Sequence, residues 1–228
     1  MSKGVMTPSY RNRLGYHSGL LGGMAFLASM ALVIGNIETH HAIEMAMAAD
    51  KKAFLEQVIP SNLYDNDLLQ DTLTIHNREE EVVVYLARKE QQVVAAAYQM
   101  AGYGYAGEIS LIMGISRQGE ILGVRILSHA ETPGLGDKIE AAKSDWILKF
   151  NGLSLNNPNE TGWHVKKDGG QFDQFTGATI TPRTVVKTVK EGLDFFAAHQ
   201  TNIIEQLPPQ MPEETVVTKP QQGSSHGH

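Results

Sequence analysis

The chain has 228 residues and no cysteine, a length that accommodates one membrane anchor plus one domain, and a composition that excludes disulfides, thiolate-held iron–sulfur clusters and cysteine zinc sites. Its net charge of −6 is unevenly spread: Lys3, Arg11 and Arg13 give residues 1–16 a charge of +3, residues 17–37 carry none, and −6 less +3 leaves −9 for the remainder. An acidic domain repels phosphate backbones, so nucleic acid is not an expected partner.

The first predicted element is a transmembrane helix over residues 17–37. Ser18 to Ile37 reads SGLLGGMAFLASMALVIGNI, about twenty uncharged residues, enough to cross a hydrocarbon core of roughly 30 Å. Gly22, Gly23, Ala25, Ala28 and Ser29 leave room for a neighbouring helix. Basic residues precede the span and Glu38 follows it, so residues 1–16 are expected in the cytoplasm and the rest of the chain outside. A cleaved signal peptide and a buried core helix are the competing readings. The apolar stretch is long for the first, and no small-x-small cleavage site directly follows it.

Residues 38–60 are expected to form a juxtamembrane helix, with Ile43, Met47, Phe54 and Val58 at near-helical spacing and Pro60 ending the run. A domain over 61–206 follows. Thr72–His76, Val82–Leu86 and Val93–Met100 are rich in β-branched residues and predict strands. Glu108–Ser116 and Ile121–Leu127 predict two more, joined by a turn at Arg117-Gln118-Gly119-Glu120. Asp137–Phe150 reads as a helix with Ile139, Ala142, Trp146 and Phe150 on one face, and Asn151–Gly170 as a polar loop. A last helix is expected from about Pro182 to His199. Residues 207–228 are Pro-rich and aperiodic and read as a disordered tail. The fold class is therefore α+β: an N-terminal transmembrane helix followed by a single α+β domain.

The chemistry concentrates in residues 173–186, DQFTGATITPRTVV. Thr181-Pro182 is a helix start, with Thr suited to the N-cap and Pro to the first helical position. Val186, Val189, Leu193 and Phe196 then mark one apolar face. Thr179 falls just ahead of this helix, where unpaired N–H groups and the macrodipole favour an anion. Gly177 and Ala178 let a phosphate approach the backbone, and Arg183 and Lys187 add positive charge nearby. On the residues alone, an ordinary loop-to-helix junction with a capping Thr is the reading that spacing favours. A second segment, His129-Ala130-Glu131-Thr132-Pro133-Gly134-Leu135-Gly136-Asp137, is a Pro-Gly turn whose glycines leave backbone open to a flat ligand, or else a plain turn.

The two segments together carry a resemblance. Asp173, Thr176, Gly177, Ala178 and Thr179 match every defined position of Asp-x-x-(Ser/Thr)-Gly-Ala-Thr, the flavinylation motif read by the flavin transferase ApbE. The turn is similar to the E-T-P-G-L-G segment of the same FMN-binding domains. Over anchor, domain and motif order the chain resembles the G-subunit family of the Rnf (Rsx) ion-translocating oxidoreductases. The plan is also that of the C-subunit family of the Na⁺-translocating NADH:quinone reductases, the nearest alternative.

The resemblance implies FMN as cofactor, joined by a phosphoester to Thr179, with FAD as donor and Mg²⁺ as helper. Thr176, Thr181 and Thr184 are the weaker acceptor candidates, and Thr181 counts among the residues expected around the cofactor. Glu131 and Thr132 are expected at the cofactor's polar edge, Gly134 and Gly136 at the exposed backbone, and Leu135 against the isoalloxazine. Tyr103 and Tyr105 are weaker ring contacts, and Lys166 and Lys167 a solvated face. The implied setting is the bacterial inner membrane, with the domain periplasmic and ApbE and the other membrane subunits as partners. The implied function is electron transfer in a complex that couples ferredoxin and NAD(H) pools to ion movement, with upkeep of a reduced redox regulator as an additional role. No acid–base pair, nucleophile constellation or metal site is evident, so no independent catalysis is expected. A tethered scaffold and a free-standing flavin-dependent reductase are the rivals from other classes.

Overall fold

The computed structural model describes residues 14–77 and 80–206. The basic N-terminus with Lys3, Arg11 and Arg13, and the Pro-rich segment 207–228, lie outside the described residues. The chain divides after Ala53 into two units. One helix, α1 (Leu14–Val58), runs through both, so the expected anchor and the expected juxtamembrane helix are a single element. No proline occurs between Pro8 and Pro60, and the glycines within the helix, Gly22-Gly23 among them, weaken it without ending it. In the first unit Gly15–Val33 has a mean hydropathy of 1.3 and no burial against protein. Leu21, Phe26 and Leu32 are all exposed. A helix that is apolar and uncovered all round, about 28 Å long over these residues, matches a membrane span by length and composition.

The second unit is built on a five-stranded antiparallel meander in the order β1-β2-β3-β4-β5. The strands are β1 (Thr72–Asn77), β2 (Glu80–Lys89), β3 (Gln92–Tyr103), β4 (Glu108–Ser116) and β5 (Ile121–Ser128). β4 is buried over seven consecutive residues, because both faces of the sheet are covered. On one face Tyr98, Leu111, Met113 and Ile115 pack with Val185, Val189, Leu193 and Phe196 of helix α2 (Ile180–Ile204). On the other, Ala95, Ala97 and Ile112 pack with Leu55, Val58, Ile59 and Leu68. Two backbone approaches need glycine. The paired Gly114 and Gly123 lie under the end of α1, where a Cβ at Gly114 would stand 2.2 Å from the Val58 carbonyl oxygen. Gly192 of α2 lies against Met113, and its carbonyl accepts from the Tyr98 hydroxyl at 2.8 Å.

Between β5 and α2 the chain departs from the expected helix over Asp137–Phe150. Two 3₁₀ turns, Asp137–Ile139 and Asp145–Phe150, stand in its place. Glu140 and Ser144 are both extended, and the Ser144 hydroxyl caps the second turn by accepting from the Trp146 N–H. Packing overrides periodicity here. Trp146 meets Phe150 and Phe175 edge-on and donates its indole N–H to the Asp173 carbonyl at 2.8 Å, which fixes the turn against the segment leading into α2. Ala142, expected on the buried face, is exposed. The polar stretch 151–170 is anchored by Trp163 and Val165, with Trp163 in the ring cluster of Phe150 and Phe172.

Candidate functional site

Two turns form the site, and each depends on one glycine. In Thr132-Pro133-Gly134-Leu135 the Leu135 N–H donates to the Thr132 carbonyl at 3.1 Å, and Gly134 has φ +78°. In Phe175-Thr176-Gly177-Ala178 the Ala178 N–H donates to the Phe175 carbonyl at 3.2 Å, and Gly177 has φ +84°. A positive φ at the third position is the type II requirement, which glycine meets without strain. The turns face each other: a Cβ on Gly177 would lie 3.2 Å from Leu135 Cδ2.

A cleft of about 380 Å³ opens between them. It is lined by Tyr105, Glu131, Thr132, Leu135, Gly136, Gly177, Ala178, Thr179, Ile180 and Thr181. The volume is that of a small-molecule or cofactor site. The rim is apolar and open, with Tyr105 73%, Leu135 40% and Ile180 42% exposed. Of the residues singled out from sequence, Thr179, Gly177, Ala178, Thr181, Glu131, Thr132, Leu135 and Gly136 meet here. Asp173, Thr176 and Gly134 do not line the cleft; they shape the two turns. Tyr103, 79% exposed, also stays outside it.

The four threonine hydroxyls differ in what they already bind. Thr181 is fully buried and donates to Glu131 Oε2. Thr184 donates to the Tyr103 carbonyl at 2.9 Å. Thr176 is exposed and outside the cleft. Thr179 is half-buried in the cleft, stands at the N-cap position of α2, and makes no capping hydrogen bond. Helix α2 also begins earlier than expected, at Ile180, and the hydroxyl expected to cap it, Thr181, donates to Glu131 instead. Pro182 still falls in the first turn, where its missing N–H costs nothing. With no side-chain cap and no acid of its own in the first turn, the positive end of α2 opens beside Thr179, and the Glu131 carboxylate, bound to Thr181, reaches that turn from the facing segment.

Three charged expectations change. Arg183 and Lys187 are not spare cations. Arg183 pairs with Asp168 at 2.6 Å, which raises the guanidinium pKa and lowers that of Asp168. Lys187 reaches Glu191 at 3.6 Å. Lys166 is not simply solvated: with Lys149 it holds Asp173, each at 2.5 Å. Hydrogen bonds from these two lysines, Lys149 first, bring the Asp173 carboxyl down to about 2. The motif aspartate therefore clamps the 173–178 turn to its neighbours. A second cleft, about 420 Å³, lies beside Gln57, Arg125, His129 and Glu140 and contains none of the motif residues. Sequence reading missed Ile180, an apolar residue at a helix start, and Ala106, whose N–H binds Glu131.

Residues 104–194, which include both turns, match the family model of the FMN-binding domain. Among characterised sequences the chain is 47% identical to the G subunit of the ion-translocating oxidoreductase complex of Stutzerimonas stutzeri, over 86% of each chain. It is also 47% identical to the corresponding G subunit of Cereibacter sphaeroides, over 84% of this chain and 89% of that one. Among solved structures, the C subunit of the Na(+)-translocating NADH-quinone reductase of Parabacteroides distasonis is similar at 21% identity and a TM-score of 0.43, covering 60% of this chain and 68% of that one.

Proposed function

We propose, from the premise that this chain belongs to the G-subunit family of ion-translocating oxidoreductase complexes, that it is the electron-transfer subunit of such a complex and carries FMN esterified through phosphate to Thr179. The observation that carries the attachment point is the Thr179 hydroxyl: it alone among the four lies in the cleft without a fold partner, at the uncapped end of a helix. A phosphate there meets unpaired N–H groups and the positive end of the macrodipole. Bound FMN supplies two-electron uptake and one-electron release. The chain's own residues hold and orient it. Leu135, Ile180 and Tyr105 offer apolar surface to a flat ring, the two glycine turns keep backbone close to it, and Asp173 fixes the loop that presents Thr179.

The wider setting belongs to the same reading. Residues 17–37 span the inner membrane, 38–60 lead away from it, and the domain over 61–206 faces the periplasm. A phosphoester keeps the cofactor from diffusing away there. ApbE attaches the flavin, the other membrane subunits exchange electrons with it, and the complex links ferredoxin and NAD(H) pools to ion movement. The one candidate span among the described residues carries no charge and offers no ion path, so the pore belongs to those other subunits.

The test is the Thr179→Ala chain co-produced with the flavin transferase. It should lose flavin fluorescence on a denaturing gel while remaining in the membrane fraction. The wild-type chain should show one added flavin phosphoester by intact mass, mapped to the peptide around Thr179. A fluorescent Thr179→Ala band moves the attachment elsewhere.

A further inference from the structure

The wall of the cleft contains a buried carboxylate with no counter-charge. Glu131 is 5% exposed. Its Oε1 accepts from the Ala106 N–H at 3.0 Å, in the turn between β3 and β4, and its Oε2 accepts from the Thr181 hydroxyl on α2. Neither donor is a cation. The backbone is shaped around this group: a Cβ would come within 2.4 Å of Oε1 at Gly104 and within 2.9 Å of Oε2 at Gly136.

The charged and titratable groups around it are otherwise matched. The Glu131 N–H donates to His129 Nδ1, which leaves the ring proton on Nε2, 2.9 Å from Glu140 Oε1. Asp137 faces Lys143 at 3.8 Å, and Arg183 on α2 is held by Asp168. Tyr103, Tyr105 and Glu108, from β3, the β3–β4 turn and the start of β4, are solvent-exposed. Among the described residues no Lys or Arg pairs with Glu131. A desolvated charge of this kind acts on its surroundings more strongly than one in water.

We infer that Glu131 controls the protonation of the reduced flavin in this cleft. The inference rests on the FMN reading above. Oxidised flavin takes up two electrons and two protons to give a neutral reduced ring, or two electrons and one proton to give a ring with one negative charge. A fixed carboxylate in the wall opposes the second product, so the reduced ring keeps its second proton to higher pH. The first product gains no charge and is little affected.

The experiment is potentiometric titration of the full flavin-bearing chain over a pH series, with dithionite and mediators as reductant and free FMN in parallel. A plot of midpoint potential against pH breaks where the reduced ring loses its second proton. The wild-type break should lie above that of free FMN. Glu131→Gln, which keeps the shape and removes the charge, should move it down by about one unit. Above the break its reduction equilibrium is then favoured about tenfold, about 30 mV for a two-electron couple. Below the break the two proteins should coincide.

A shift of equal size at every pH marks a merely rearranged cleft and overturns the inference, as does an unmoved break. Should Glu131→Gln fail to fold or load, the wild-type comparison decides alone: a break at or below that of free FMN refutes it. A wild-type chain without flavin overturns the FMN reading itself, which is a different result from a loaded chain with an unmoved break.

Discussion

Gly136→Ala tests whether the cleft wall is as tightly built as the structure has it, and its sign alone decides. Gly136 sits at φ −88° and ψ −21°, an ordinary right-handed conformation that alanine adopts freely. In open space the substitution would stabilise the protein by about 0.4–1 kcal/mol, through a less flexible unfolded chain. The space is not open. The new Cβ would lie 2.8 Å from Glu131 Cβ, 2.9 Å from Glu131 Oε2 and 3.1 Å from Thr181 Oγ1. Carbon pairs settle at about 3.5–4.0 Å, so the first contact is short by roughly 0.7 Å or more. Glu131 cannot swing aside: its Cβ is one bond from the backbone, and its carboxylate is held by Ala106 and Thr181. Overpacking of this kind costs about 1–3 kcal/mol. Set against the unfolded-state gain, the net loss is about 0–2.6 kcal/mol. For a domain of this size that lowers Tm by up to roughly 10 °C. Tryptophan fluorescence is the assay, because both tryptophans, Trp146 and Trp163, are buried in the domain and none lies in α1. The chain would be produced without the flavin transferase and melted in detergent. A Tm above wild type refutes the packing argument and, with it, the claim that the wall is shaped around the Glu131 carboxylate.

Two further outcomes follow from the ion pairs. Asp71→Ala removes the partner of Arg88, a pair joined at 2.6 Å with both side chains nearly buried, and breaking such a pair costs about 3–5 kcal/mol. The Gln91 and Gln206 carbonyls still accept from Arg88, so the lower end is expected, read as a fall in urea midpoint at unchanged slope. Asp173→Asn has a smaller, pH-dependent effect. The folded carboxyl titrates at about 2, below its ordinary 3.8, so its contribution is complete above 3.8 and disappears as pH falls through about 2. The side chain is 42% exposed, so screening limits that contribution to about 0–1 kcal/mol. Melts of the two chains should converge near pH 2 and differ most above pH 4. A gap that widens toward acid contradicts the assignment.

The strands were legible from sequence because alternation and β-branching are local signals, and β4 was placed with both its ends, Glu108 and Ser116. What covers the sheet was not. The second buried face depends on the end of α1 lying against Gly114 and Gly123, and nothing in β4 itself announces a partner some fifty residues upstream. Asp137–Phe150 misled for the converse reason. Its apolar spacing is helical, but Trp146 satisfies its ring and its N–H through Phe175 and Asp173, and that tertiary demand breaks the helix into two turns.

The site divides along the same line. The turn at Gly134 was readable because Pro-Gly is a local signal, whereas Gly177 was read only as room for a phosphate and its positive φ was not foreseen. The choice among hydroxyls is not of that kind. Thr181 is engaged by Glu131, 50 residues away in sequence, and Thr184 by Tyr103, 81 residues away. Local spacing makes Thr181 the natural helix cap, and only the motif resemblance singled out Thr179 from the sequence. Only when the long-range partners are in place does Thr179 become the hydroxyl left over in the cleft. The same contact that withdraws Thr181 also buries Glu131 without a counter-charge. One hydrogen bond between two distant motifs thus defines both the candidate attachment point and the charge that would act on whatever is attached.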